Sequence, residues 1–138
     1  PTGLDQEEGL LAALSNISSD RYKHILIADD EPNVRILVSK ILCSLGNFSL
    51  SEAANGKEAL AAIEKVPPDL LILDLMMPEV DGFSVIDQLQ SRKETSQIPI
   101  IVITAKELTK NEKEFLKGRI RVLMQKGDLM SASLLQDI

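Results

Sequence analysis

The sequence predicts an α/β protein with a doubly wound parallel sheet, and two observations lead to this fold class. Five short apolar runs alternate with five amphipathic helical segments along the 138 residues. Three of the runs, at residues 25–27, 70–73 and 100–103, are continuous rather than alternating, which is typical of strands covered on both faces. Strands that alternate with helices form a parallel sheet through right-handed crossovers, with helices on both sides.

The elements follow in order along the chain, and glycine and proline residues set their limits. The predicted strands are residues 24–28, 48–53, 70–73, 100–104 and 122–124. The predicted helices are residues 33–45, 57–66, 83–90, 111–117 and a last one from Asp128 to the end. Gly46 closes the first helix, Pro67 the second and Gly118 the fourth, while Asp81 and Gly82 open the third.

Residues 1–23 differ from the rest of the chain, and we assign residues 24–138 to the globular domain. Leu10, Leu11, Leu14 and Ile17 recur at helical spacing, preceded by three acids that favour a helix N-terminus. Residues 18–20 then indicate a break. The segment is a frayed leader or a linker helix from an upstream domain, and the sequence leaves both interpretations open.

The composition excludes several classes of protein. A formal charge of −6 and only four aromatic residues argue against nucleic acid as a direct partner. No apolar stretch is long enough to cross a membrane and no signal peptide is evident, so we expect no membrane insertion and a cytoplasmic location. The single cysteine, Cys43, lies in an apolar run, and we expect it to be a buried core residue.

Polar residues mark the carboxyl ends of the predicted strands. Asp29 and Asp30 follow the first strand, Asp74 the third, Thr104 ends the fourth and Lys126 follows the fifth. Any one of them is commonly a turn former or a helix cap. Together they occupy the edge where ligands bind in doubly wound sheets. We therefore expect all five side chains to converge on one site.

The chemistry of this set indicates a phosphoryl-accepting site. Three carboxylates held close together repel one another unless positive charge offsets them, and an all-oxygen site favours a hard cation such as Mg²⁺. Lys126 adds a second positive charge, and the Thr104 hydroxyl can donate a hydrogen bond to a phosphoryl oxygen. Asp74 lies between the acid pair and the other two residues in the chain, and carboxylate nucleophiles form aspartyl phosphates.

Four segments resemble the receiver domains of response regulators in two-component signalling. They are ILIADDEP at residues 25–32, LLILDLMMP at 70–78, PEVDGF at 78–83 and IPIIVITA at 98–105. The spacings of 44, 30 and 22 residues from Asp30 through Asp74 and Thr104 to Lys126 also match the family. The resemblance covers about residues 23–138. Residues 104–109, together with residues 118–119 and 125–127, further resemble receivers attached to hybrid sensor kinases.

The resemblance implies a flavodoxin-like sheet of strand order 2-1-3-4-5 and a role for each site residue. Asp30, Asp74 and the Met76 backbone carbonyl would bind Mg²⁺ directly, and Asp29 would act through water. Thr104 and Lys126 would hold the phosphoryl oxygens on Asp74. The implied partner is a histidine kinase or a phosphotransfer protein, and a homodimer stays open. The domain would not be an enzyme beyond catalysing its own phosphoryl transfer and slow hydrolysis.

Two positions depart from the family pattern. Gly127 replaces the usual proline after Lys126, so we expect a trans peptide bond between the two. Leu123 replaces an aromatic switch residue, and we expect it to stay buried, with movement on phosphorylation concentrated in residues 105–109 and in the helix after them.

Two other functions compete with the receiver assignment. A pseudo-receiver would bind partners without phosphotransfer, but such domains typically lose an acid or the lysine, and none is missing here. A haloacid-dehalogenase-like phosphatase would want a second acid two residues after Asp74, where Met76 stands.

Overall fold

The computed structural model describes residues 23–128 and confirms the predicted fold class. Its strands are β1 (His24–Ala28), β2 (Ser49–Ala53), β3 (Leu70–Leu73), β4 (Ile100–Thr104) and β5 (Val122–Gln125). Its helices are α1 (Pro32–Leu45), α2 (Gly56–Lys65), α3 (Gly82–Gln90) and α4 (Lys110–Leu116). The strands form one sheet of order β2-β1-β3-β4-β5, and all four strand pairs are parallel.

The boundaries of the five strands and of α1 to α4 agree with the sequence to within one residue at each end. The differences among them are single-residue shifts, such as β2 beginning at Ser49 and α1 beginning at Pro32. Residues 126–128 are helical, so the last helix begins by Lys126 rather than at Asp128. The predicted leader or linker at residues 1–22, and the continuation of that last helix, lie outside the described residues.

Two hydrophobic cores enclose the sheet because successive residues of each strand point to opposite faces. Leu26 and Ala28 of β1 pack into a core shared with α2, α3 and α4, whereas Ile25 and Ile27 pack into a second core with α1. All four residues are at most 1% exposed. This two-sided burial explains why β1, β3 and β4 have continuous apolar sequences.

Side-chain caps fix where α2, α3 and α4 begin, as the sequence indicates for α3. The Asp81 carboxylate accepts a hydrogen bond from the Ser84 backbone N–H at 2.9 Å and caps α3. Asn55 caps α2 in the same way, and Thr109 forms a capping box with Glu112 at the start of α4. Gly118 follows the end of α4 with a φ of 81°, a left-handed conformation that favours glycine.

Two expectations about burial are wrong. Cys43 is exposed, because the face of α1 that packs on the sheet is formed by Val34, Val38, Ile41 and Leu42. Leu123 is 39% exposed, because β5 is an edge strand and its two inward-facing neighbours take the core positions. An apolar run alone therefore does not indicate which face of α1 or β5 is buried.

Gly82 allows α3 to approach the strand end that bears Asp74. A Cβ atom added at Gly82 would clash with the Asp74 carbonyl oxygen and would lie 2.7 Å from the Leu75 Cα. These are backbone atoms that cannot rotate away. We therefore expect Gly82→Ala to lower the free energy of unfolding by about 1–3 kcal/mol, measured by urea denaturation.

Gly127→Ala is the matched control, since an added Cβ there meets no atom within 4 Å. It should leave the free energy of unfolding nearly unchanged. A loss below about 0.5 kcal/mol for Gly82→Ala would contradict the close approach of α3.

Within residues 23–128, no helix is both long and apolar enough to cross a membrane.

Candidate functional site

Three carboxylates meet at the carboxyl edge of the sheet. Asp29 and Asp30 directly follow β1, and Asp74 directly follows β3, the strand that pairs with β1. Each offers a carboxylate oxygen, and the three oxygens lie within 4.8 Å of one another. Asp29 and Asp74 are buried, whereas Asp30 is exposed. The cluster therefore has two enclosed acids and one acid open to solvent.

Lys126 reaches this cluster from the end of β5. Its Nζ lies 3.1 Å from Asp29 Oδ2 and 3.2 Å from Asp74 Oδ2. Burial alone would lower the pKa of Lys126, but its hydrogen bonds and charge interactions with Asp29 and Asp74 raise it above the usual value. Lys126 therefore stays protonated and offsets part of the negative charge. The peptide bond to Gly127 is trans, as expected, because residues 23–128 contain no cis peptide bond.

Burial sets the protonation behaviour of Asp29. Burial is the largest of the causes that together raise the pKa of this carboxyl group to about 6, and the nearby Asp74 charge acts in the same direction. The hydrogen bond from the Glu31 backbone N–H and the contact with Lys126 lower it, without cancelling the effect of burial. The folded protein therefore disfavours the ionised form of Asp29 relative to the unfolded chain.

Asp74 is held by two donors and is 2% exposed. Its Oδ1 accepts a hydrogen bond from the Met76 backbone N–H at 3.2 Å, and its Oδ2 accepts one from Lys126. The Met76 side chain points outward and is 54% exposed. Thr104 is fully buried at the end of β4, where its hydroxyl oxygen accepts a hydrogen bond from the Lys106 backbone N–H at 3.1 Å.

The structure thus gathers Asp29, Asp30, Asp74 and Lys126 into one cluster through direct contacts or short oxygen separations. Thr104 ends β4, the strand beside β3, on the same edge of the sheet. Met76 enters through its backbone, two residues after Asp74. The chemical roles assigned to these residues by the sequence stay predictions.

Two residues of the site were missed by the sequence reasoning. Glu31 lies with its Oε1 3.3 Å from Lys126 Nζ, and Arg35 donates a hydrogen bond to the Asp29 carbonyl oxygen. A signal was available for Arg35, because it is a cation in the first turn of α1, where the helix dipole disfavours positive charge. Such a placement suggests an acidic or carbonyl neighbour outside the helix.

An open cleft of about 640 Å³ borders the acid cluster. Asp30 lies at one side of it, the segment after β3 forms its floor, and Lys106 and Glu112 stand at the other side with their charged atoms 3.4 Å apart. Asp30 is the member of the acid cluster that lines this cleft.

The donor set suits a hard divalent cation. All nearby ligand atoms are oxygens, with no histidine or thiolate among them, which favours Mg²⁺ or Mn²⁺ over softer metals. Three acids beside one lysine also leave negative charge that a cation would neutralise. The acid cluster could therefore hold a metal ion.

Comparisons with known proteins place these features in context. The chain is 46% identical over 94 residues to a probable transcriptional regulator, ycf27, from Cyanidium caldarium, covering 68% of this chain and 36% of that protein. It is 40% identical over 81 residues to the DNA-binding dual master transcriptional regulator RpaA of Synechocystis sp., covering 59% of this chain and 33% of that protein. The chain thus spans about a third of the length of these relatives.

A solved structure shows the same fold. The signal receiver domain of a signal transduction histidine kinase from Syntrophus aciditrophicus superposes with a TM-score of 0.68 at 26% identity. The match covers 83% of this chain and 88% of that one.

The expectation that nucleic acid is no direct partner finds no support in these relatives, since RpaA is described as DNA-binding. That expectation rested on the net charge of −6 and the four aromatic residues of this chain, which spans about a third of the length of RpaA.

The family model of the response regulator receiver domain matches residues 25–132, which include every residue of the acid cluster and Lys126. With the sheet order and the strand-end acids already described, this match establishes that the chain belongs to the response regulator receiver domain family.

Proposed function

We propose that the domain accepts a phosphoryl group on Asp74 in a reaction that depends on Mg²⁺. The observation that carries this proposal is the position of Lys126, whose ammonium group contacts both buried acids, Asp29 and Asp74, beside the exposed Asp30. Such an arrangement neutralises charge around one carboxylate, which is the main requirement for phosphoryl transfer.

The proposed step moves one phosphoryl group between two nucleophiles. An Asp74 carboxylate oxygen attacks the phosphorus of a phosphohistidine on the partner. The O–P bond to Asp74 forms as the N–P bond breaks, and the imidazole nitrogen keeps the electron pair of the broken bond. Lys126 would then move from the carboxylates to the phosphoryl oxygens, and the Thr104 hydroxyl would donate a hydrogen bond to another.

Asp30, Asp74 and the Met76 backbone carbonyl would hold the cation, with Asp29 acting through water. When bound, Mg²⁺ would neutralise part of the negative charge on the phosphoryl oxygens. Asp30 suits a direct ligand because its carboxylate is open to the cleft and has no lysine contact among the ion pairs of residues 23–128.

The proposed donor is a histidine kinase or a phosphotransfer protein that docks near the start of α1 and near Gly127. The curated relatives are described as transcriptional regulators, whereas the solved structure is the receiver of a histidine kinase. Attachment to a hybrid kinase therefore stays a prediction, which the full-length gene would test. The domain's catalysis would be confined to its own phosphorylation and slow hydrolysis.

Neither competing function is favoured by the site. A pseudo-receiver does not require a charged lysine buried between two acids. A dehalogenase-like phosphatase would need an acid where the exposed Met76 stands.

Incubation with acetyl phosphate and Mg²⁺ tests the proposed phosphorylation directly, because intact mass spectrometry should show the addition of one phosphoryl group.

The metal role of Asp30 is tested separately. Asp30→Ala should abolish Mg²⁺ binding measured by isothermal titration calorimetry, because it removes the carboxylate that is open to the cleft. Since Asp30 is exposed, the free energy of unfolding should change little. Glu107→Ala removes another exposed acid, which follows β4, and should keep the wild-type affinity. Undiminished Mg²⁺ affinity in Asp30→Ala would rule out its role as a ligand.

A further inference from the structure

We propose that Arg35 is a positioning residue that orients Asp30 for metal binding and is itself held in place by Glu52. This inference rests on the proposed function, because it concerns the same acid cluster. It assigns a task to a side chain that touches none of the carboxylates in that cluster but contacts the backbone that joins two of them.

Arg35 holds the peptide group between the two adjacent acids. Its Nη1 donates a hydrogen bond of 2.6 Å to the Asp29 carbonyl oxygen, which belongs to the peptide bond joining Asp29 to Asp30. Rotation of this peptide group would swing the Asp30 Cα and its carboxylate. Because Asp30 is exposed and follows the end of β1, neither core packing nor the strand ladder holds it there.

The peptide group on the other side of Asp30 is also held. The Glu31 backbone N–H donates a hydrogen bond of 2.8 Å to Asp29 Oδ1. Asp30 therefore lies between two fixed peptide groups, one held by the Arg35 guanidinium and the other by the Asp29 carboxylate. Ligands that are already held in this way lose little conformational entropy when they bind a metal.

Glu52 fixes the direction of the guanidinium group. Its Oε1 accepts a hydrogen bond of 2.8 Å from Arg35 Nε, so the planar fork is held by two acceptors on two different elements. Glu52 lies on β2, in register with Ile27 of β1, and the Asp29 N–H donates to the next residue of β2, Ala53. Arg35 thus joins α1, β2 and the end of β1.

The geometry of Arg35 matters more than its charge. The Glu52 side chain is 51% exposed, and exposed ion pairs contribute little to stability. A cation in the first turn of α1 also opposes the helix dipole. What arginine offers at this position is two donors of fixed relative direction, which lysine does not have.

The test measures Mg²⁺ affinity by isothermal titration calorimetry, and amide hydrogen exchange of Asp30 and Glu31 by NMR. Arg35→Met keeps the apolar stem and removes both donors, and it should weaken Mg²⁺ binding roughly tenfold or more. Arg35→Lys should stay at least about fivefold weaker than wild type, because one ammonium cannot reproduce the fork. Lys40→Met, the same charge change at an exposed site on α1, should match the wild type.

Recovery of wild-type affinity in Arg35→Lys would overturn the proposal, since charge alone would then suffice. Equal losses in Arg35→Met and Lys40→Met would overturn it as well. If Arg35→Met does not fold, Glu52→Ala is the alternative, because it removes only the exposed carboxylate that accepts a hydrogen bond from Arg35. It should still weaken Mg²⁺ binding by a few-fold.

Amide exchange separates this inference from the proposed function. If the wild-type domain binds no Mg²⁺, the proposed function fails, and exchange in the metal-free protein decides the role of Arg35. Faster exchange at Asp30 and Glu31 in Arg35→Met, with none in Lys40→Met, would support the positioning role. Unchanged exchange at both amides would reject it.

Discussion

Asp74→Asn should abolish phosphorylation of the domain, the largest effect we expect from any single substitution. An amide has no anionic oxygen to attack phosphorus, while its size keeps the pocket filled. Asp74 is buried and contacts Lys126, so a positive charge lies beside the carboxylate that would attack the phosphorus. After incubation with acetyl phosphate and Mg²⁺, intact mass spectrometry should show no added phosphoryl group.

Asp87→Asn is the control for this substitution. Asp87 is an exposed acid on α3, away from the cluster, and its variant should gain one phosphoryl group like the wild type. If Asp74→Asn gained the same mass, another residue would be the acceptor. Asp29 would be examined next, because it is the second buried acid in contact with Lys126.

The metal-free domain should lose stability as the pH rises through the range in which Asp29 ionises. Burial raises the pKa of Asp29 to about 6 in the folded state, against an ordinary value of 3.8. The folded protein therefore holds this proton more tightly than the unfolded chain, and ionisation favours unfolding. The contribution of Asp29 to the free energy of unfolding is most favourable below about pH 4. It falls by at most about 3 kcal/mol as the pH rises past 6.

Urea denaturation in EDTA at several values between pH 4 and pH 7.5 measures this effect. Asp29→Asn cannot ionise, so its free energy of unfolding relative to wild type should increase with pH. Asp87→Asn should show no such trend. Added Mg²⁺ should return stability to the wild type at pH 7.5, because the cation binds the ionised folded state. A pH-independent difference between Asp29→Asn and wild type would contradict the raised pKa.

Much of the fold was predictable because its signals are local. Continuous apolar runs such as Leu70–Leu73 indicated strands covered on both faces, and proline and glycine residues indicated where helices end. Burial at the margins was less predictable. Cys43 and Leu123 belong to apolar runs, yet both are exposed, because the packing of α1 and the edge position of β5 decide which face is covered.

For the site, the sequence alone indicated most of the residues that meet, since the carboxyl ends of parallel strands share one edge of the sheet. Asp29, Asp30, Asp74 and Lys126 could be named for that reason before any contact was known. Only the tertiary structure decided how they interact. Lys126 pairs with an acid 97 residues away, and the burial of Asp29 raises its pKa. Contact distance and desolvation arise when the strands pack side by side, so no segment of the chain encodes them alone.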